Sequence, residues 1–169
     1  IDPTSISKRV AVDIPIVGHC AQVLDALNAL LREAGVVAMR PDAWWAQIDA
    51  WRGARCLAYP PSDGRIKPQR VIELLSALPG AEDFIVTSDV GQHQMWTAQY
   101  FPFRQPRRWV NSGGLGTMGF GLPAAIGAAM AHPGKTVVCI SGDGSIQMST
   151  KELMTCMQYR LPIKIICLN

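Results

Sequence analysis

The chain has 169 residues, 49% of them hydrophobic and 17% charged, with a formal net charge of +3. That length accommodates one sizeable core and a smaller appendage, and so slight an excess of base, with acids spread among the bases, argues against a nucleic-acid partner. The longest mostly apolar stretch, residues 120–130, falls short of the ~20 residues a membrane helix requires and carries glycines and a proline, so no membrane association is expected. The five cysteines are an odd number without C-x-x-C spacing. Cys139 and Cys167 lie in apolar runs and are expected as small core residues of a protein kept in a reducing, cytoplasmic compartment. Ile1-Asp2-Pro3 opens without an initiator Met, so the chain reads as a fragment of a longer one.

After a short extended start, Val23, Leu24, Leu27, Leu30 and Leu31 fall on a helical period, which predicts a helix over residues 21–34. A second helix is expected over residues 42–53. There Trp44, Trp45, Ile48 and Trp51 stand at i, i+1, i+4 and i+7, a spacing that predicts one packed face rather than an aromatic ligand cage. Tyr59-Pro60-Pro61-Ser62-Asp63-Gly64 combines turn formers and reads as a linker. Beyond it the rhythm becomes strand, turn, helix, repeated. Pro68 suits the first turn of a helix over residues 68–78, which Pro79-Gly80 stops. Strands are predicted over residues 83–88, 109–111, 136–141 and 163–168, and helices to Tyr100, over residues 123–131 and over residues 150–159, the last with Leu153, Met154 and Met157 on one side. Alternation of this kind predicts an α/β fold, a parallel sheet with helices on both faces.

Ligands of such sheets bind where strands give way to loops at their carboxyl ends. Three of those loops are unusual: Asp89-Val90-Gly91-Gln92-His93-Gln94-Met95-Trp96, the glycine-rich run from Ser112 to Gly121, and Gly142-Asp143-Gly144-Ser145. Glycines allow a ligand close approach to backbone amides, and helix N-termini favour phosphate. A carboxylate among them is reconciled with a phosphate by a divalent cation between the two, and magnesium is commonly held by one or two side-chain oxygens together with substrate phosphates. Taken singly, each loop also has a plain reading as a turn. His93, His19 and His132 and the basic stretch Arg104 to Trp109 likewise have ordinary surface or core readings.

The combination is more specific. Gly142-Asp143-Gly144, followed by an apolar strand ending in Asn169, resembles the thiamine diphosphate motif, which opens with Gly-Asp-Gly and closes with paired Asn. "SDVGQHQMW" and "NSGGLGTMGFGLPAAIG" resemble the acetohydroxyacid synthase (acetolactate synthase) large subunit, and "IDPTSISKRVAVDIPIVG" with "IKPQ" is similar to its bacterial isozyme III type. The resemblance spans nearly the whole chain, most loosely between Leu31 and Gly64.

The resemblance implies the thiamine diphosphate-binding fold, with residues 1–35 the tail of a middle, flavin-binding domain, residues 36–64 a helical linker, and residues 65–169 a truncated diphosphate-binding domain. It implies thiamine diphosphate, Mg2+ and FAD as cofactors of the complete enzyme. Asp143 is the implied metal ligand, with Gly142, Gly144 and Ser145 beside the diphosphate. Val90, Gly91, Gln92 and His93 match the loop around the diphosphate and thiazolium end, and Gly116 and Met118 match positions at the aminopyrimidine, Met118 being the apolar wedge that keeps the cofactor bent. The implied reaction joins two pyruvates, or pyruvate and 2-ketobutyrate, into 2-acetolactate or 2-aceto-2-hydroxybutyrate with release of CO2, in branched-chain amino-acid biosynthesis. Implied partners are a second catalytic subunit, with the site at the interface, and a small regulatory subunit. The family's activating glutamate belongs to an upstream domain and its second metal-binding side chain follows Asn169, so this stretch alone is expected to be inactive. At His19 the sequence departs from the Asp that relatives carry close to the flavin. Two further readings stand beside this one: another thiamine diphosphate carboligase or 2-ketoacid decarboxylase, and a non-catalytic nucleotide-binding module.

Overall fold

A computed structural model describes residues 2–37, 41–61 and 64–169. The chain divides into two compact units, Ile1–Cys56 and Leu57–Asn169.

In the first unit, a 3-10 turn at Pro3–Ser5 is capped by Asp2, whose carboxylate accepts from the Thr4 amide. Helices α1 (Cys20–Glu33) and α2 (Asp42–Gly53) follow, within one residue of the expected spans. α1 sets Val23, Leu24 and Leu27 along a groove with Ile14 and Ile16. No described residue of this unit is buried. The packed tryptophan face is therefore corrected: Trp44 and Trp51 meet edge to face at 6.1 Å yet remain 59% and 57% exposed. The spacing does align them, but the described residues of the unit supply no second layer to cover them.

The second unit holds the core. Its parallel sheet runs in the order β2-β1-β3-β4, from β1 (Ile85–Ser88), β2 (Trp109–Asn111), β3 (Val137–Gly142) and β4 (Lys164–Leu168). Alternation along the strands divides the core between the two faces. Val86, Val138 and Ile140 pack on one side with Ile72 and Leu75 of α3 (Pro68–Ser76) and with Trp96 of α4 (Gln92–Tyr100). Ile85, Val137 and Cys139 pack on the other with Leu122, Ala125 and Ile126 of α5 (Gly121–Ala131). β3 is buried at all six positions, as a central parallel strand between two helix layers should be.

Local departures have physical causes. β3 passes straight into a short helix, α6 (Asp143–Met148), where a loop was expected. The helix expected over residues 150–159 divides into a 3-10 turn (Thr150–Glu152) and α7 (Leu153–Gln158). Its packed side is Leu153 and Cys156, one turn apart, so Met154 and Met157 point outward. Cys139 is buried as expected but Cys167 is exposed, near the end of the edge strand β4. In the presumed linker, Tyr59 is tied down: its hydroxyl donates to Glu73 and its ring meets Tyr100 edge-on, while the Tyr100 hydroxyl donates to the Leu57 carbonyl at 2.8 Å. Ser62 and Asp63 of that stretch lie outside the described residues. Among the described residues no helix is long and apolar enough to cross a membrane.

Candidate functional site

Strand order reverses between β1 and β3: from β1 the chain moves outward to β2, then crosses back to β3 on the far side. A crevice opens at the carboxyl ends of strands flanking such a reversal. There a cavity of about 340 Å³ is lined by Val90, Gly91, Gln92 and His93 after β1, Met118 of the glycine-rich loop, and Gly142, Asp143, Gly144 and Ser145 at the end of β3. Nine of the ten residues that sequence reasoning singled out thus line one cavity. Gly116 does not; it lies in the same loop as Met118, its amide bonded to the Ser112 carbonyl at 2.9 Å. Pro68, Trp96, Leu168 and Asn169 complete the wall.

His93 occupies the floor. In the first turn of α4 it is buried, and its imidazole is wedged between two backbones that tolerate it only as glycines. A Cβ on Gly91 would stand 2.7 Å from His93 Cε1, and one on Gly142 would stand 2.9 Å from His93 Nδ1. Burial lowers the His93 pKa below its ordinary 6.5, against the opposing influence of Asp89 and Asp143, so the ring is neutral at pH 7. His93 Nε2 is buried without a hydrogen-bond partner among the described residues. A buried polar atom left unpaired costs stability, and His93 is among the residues that line the cavity.

Asp143 is the counterpart on the β3 side. It opens α6, is exposed, and its carboxylate has no hydrogen bond or salt bridge among the described residues. These residues also include no group of three or more His, Cys, Asp and Glu side chains able to hold a metal. The donor on offer is a hard oxygen, that of Asp143, which suits magnesium if a ligand supplies further oxygens. One free carboxylate, one buried unpaired nitrogen and glycine backbone between them fit a magnesium-bridged diphosphate.

Sequence reasoning missed Asp89, which it treated as the start of a turn. Asp89 is fully buried, and its carboxylate accepts from the amides of Val90 (2.8 Å), Gly119 (2.8 Å) and Gly121 (3.0 Å). It ties the end of β1 to the glycine-rich loop, and the Ser145 hydroxyl, donating to the Val90 carbonyl at 3.1 Å, ties the end of β3 to the same place. The signal was present: an acid directly after a buried strand must find donors, and the glycine amides of a neighbouring loop are the unhindered ones.

Residues 89–169 match the family described as thiamine pyrophosphate enzyme, C-terminal TPP binding domain. Over its full length the chain is 56% identical to the acetolactate synthase isozyme 3 large subunit of Escherichia coli (strain K12) and spans 30% of that protein. It is 52% identical to the acetolactate synthase large subunit of Haemophilus influenzae, again over 100% of the chain and 30% of the relative. To an acetolactate synthase of Mycobacterium bovis it is 45% identical, over 100% of the chain and 28% of the relative. The chain therefore spans less than a third of the length of these relatives.

Proposed function

Because the chain belongs to the acetolactate synthase large-subunit family of thiamine pyrophosphate enzymes, we propose that its cavity holds the diphosphate of thiamine diphosphate for a carboligation of 2-ketoacids. What carries the reading is the pairing, across one cavity at the strand-order reversal, of the uncommitted Asp143 carboxylate with the unpaired Nε2 of His93.

Each residue has a task in this reading. Asp143 supplies a hard oxygen to Mg2+, and the amides at the start of α4 face the anionic ligand with the favourable end of the helix dipole. His93, neutral and wedged by Gly91 and Gly142, offers Nε2 as a hydrogen-bonding group without adding charge. Ser145 holds the Val90 carbonyl and so fixes the β1 loop against α6. Met118 brings an apolar side chain to the cavity wall and would pack against the cofactor there. Thiamine diphosphate supplies the electron sink that lets a 2-ketoacid lose carbon dioxide. The activating glutamate that the resemblance implies is proposed to come from another part of the complete enzyme.

The proposed substrates are pyruvate and a second 2-ketoacid, pyruvate or 2-ketobutyrate, giving 2-acetolactate or 2-aceto-2-hydroxybutyrate for branched-chain amino-acid biosynthesis in the cytoplasm. Residues 1–35 are proposed as part of a flavin-binding domain, residues 65–169 as diphosphate-binding, and a second catalytic subunit and a small regulatory subunit as partners. The test is a product assay of the complete enzyme, fed pyruvate alone and pyruvate with 2-ketobutyrate. Acetohydroxyacids with carbon dioxide are the expected products. Acetaldehyde and carbon dioxide alone would instead place the protein among the 2-ketoacid decarboxylases.

A further inference from the structure

Asp89 does more than end a strand. A fully buried carboxylate is costly unless hydrogen bonds satisfy it, and no salt bridge to Asp89 exists among the described residues. Its partners are amides, and they are not spread at random. Oδ1 accepts from Val90 and Gly119, and Oδ2 accepts from Gly121. The Asp89 amide itself donates to the Ile140 carbonyl of β3 at 2.9 Å, and the Thr87 hydroxyl donates to the Gly121 carbonyl at 2.9 Å. One residue thus joins β1, β3 and the loop that carries Met118, gripping that loop on the residue directly after Met118 and again two residues on. Gly121 comes so close that a Cβ there would lie 2.8 Å from the Asp89 nitrogen and 3.0 Å from Asp89 Oδ2.

We propose that Asp89 is a positioning residue for the cofactor: its carboxylate clamps the glycine-rich loop and thereby sets Met118 against the cavity. The inference rests on the reading of that cavity as a thiamine diphosphate site. Asp89 itself is absent from the cavity wall and acts only through the loop. Met118, 46% exposed, has no deep packing of its own to hold it in place. Its position is inherited from the backbone beside it.

The test is Asp89→Asn in the complete enzyme. The amide is isosteric and keeps Oδ1 as an acceptor, but presents N–H to N–H at Gly121 or, flipped, at Val90 and Gly119. Its Kd for thiamine diphosphate, followed by tryptophan fluorescence since Trp96 lines the cavity, is expected to rise about tenfold or more. At saturating cofactor, kcat is expected to fall with the KM for pyruvate changed less than about twofold. A merely structural Asp89 would lower the thermal midpoint but leave kcat intact once cofactor saturates the enzyme, and that result would overturn the proposal. Gly121→Ala pushes the loop off the carboxylate from the opposite side and carries the same expectation, so the test survives a failure of either variant to fold. Wild-type enzyme that binds no thiamine diphosphate would sink the underlying reading; wild-type binding with an unaffected Asp89→Asn would sink the clamp alone.

Discussion

In α1, leucines recur at helical spacing and Leu30 stays 62% exposed; in α3, Ile72 and Leu75 recur at the same kind of spacing and both are buried. The first unit, Ile1–Cys56, and the second, Leu57–Asn169, are thus written in similar patterns and reach different ends. Periodicity makes a helix amphipathic, but burial comes from the layer opposite. A parallel sheet gives α3, α4 and α5 such a layer on both faces, and the described residues of the first unit form none.

Core substitutions should separate the units most strongly. Ile140→Ala, in the central strand, is expected to cost about 2–5 kcal/mol in urea unfolding of the 169-residue chain, whereas Leu30→Ala on α1 should cost less than about 0.5 kcal/mol. Equal costs would show that the first unit has a core after all. Amide exchange read by mass spectrometry should follow the same division. Peptides covering β3 exchange only on global opening, and those covering α1 and α2 exchange on local fraying.

Thiol chemistry sharpens the contrast on a finer scale. Burial pushes the Cys139 thiol up to about 11, so at pH 8 it should resist an alkylating reagent until the second unit unfolds. Cys20, Cys56 and Cys167 are exposed and should react in the native chain. Early labelling of Cys139 would mean the sheet opens readily. The smallest expected effect is at Tyr59. Its hydrogen bond to Glu73 raises the phenol pKa above the ordinary 10. Since the folded value is the higher one, the stabilisation is complete below about pH 10 and is lost as pH climbs through the raised value. Tyr59→Phe should remove that alkaline decline, measured as urea midpoints from pH 8 upward.

All four strands were legible because short apolar runs bounded by Gly, Pro and Asp leave few alternatives, and their alternation with helices implied a parallel sheet whose loops share an edge. The loops that line the cavity were legible for a related reason: glycines and a lone acid after buried strands have chemical uses that surface turns lack. The tryptophan stripe of α2 and the methionines of α7 misled because a periodic face says where burial can occur, and neighbours decide whether it does. Asp89 was missed because its role is tertiary. Only the folded chain brings the amides of Gly119 and Gly121, some thirty positions away, to its carboxylate.

The central claim is that a magnesium-bridged diphosphate sits between the β1 and β3 loops, with Asp143 holding the metal. Calorimetric titration of thiamine diphosphate into the complete enzyme, with and without Mg2+, for wild type and Asp143→Ala, tests it directly. The account predicts tight, magnesium-dependent binding to wild type and no magnesium-dependent binding to Asp143→Ala; an affinity unchanged by that substitution would contradict it.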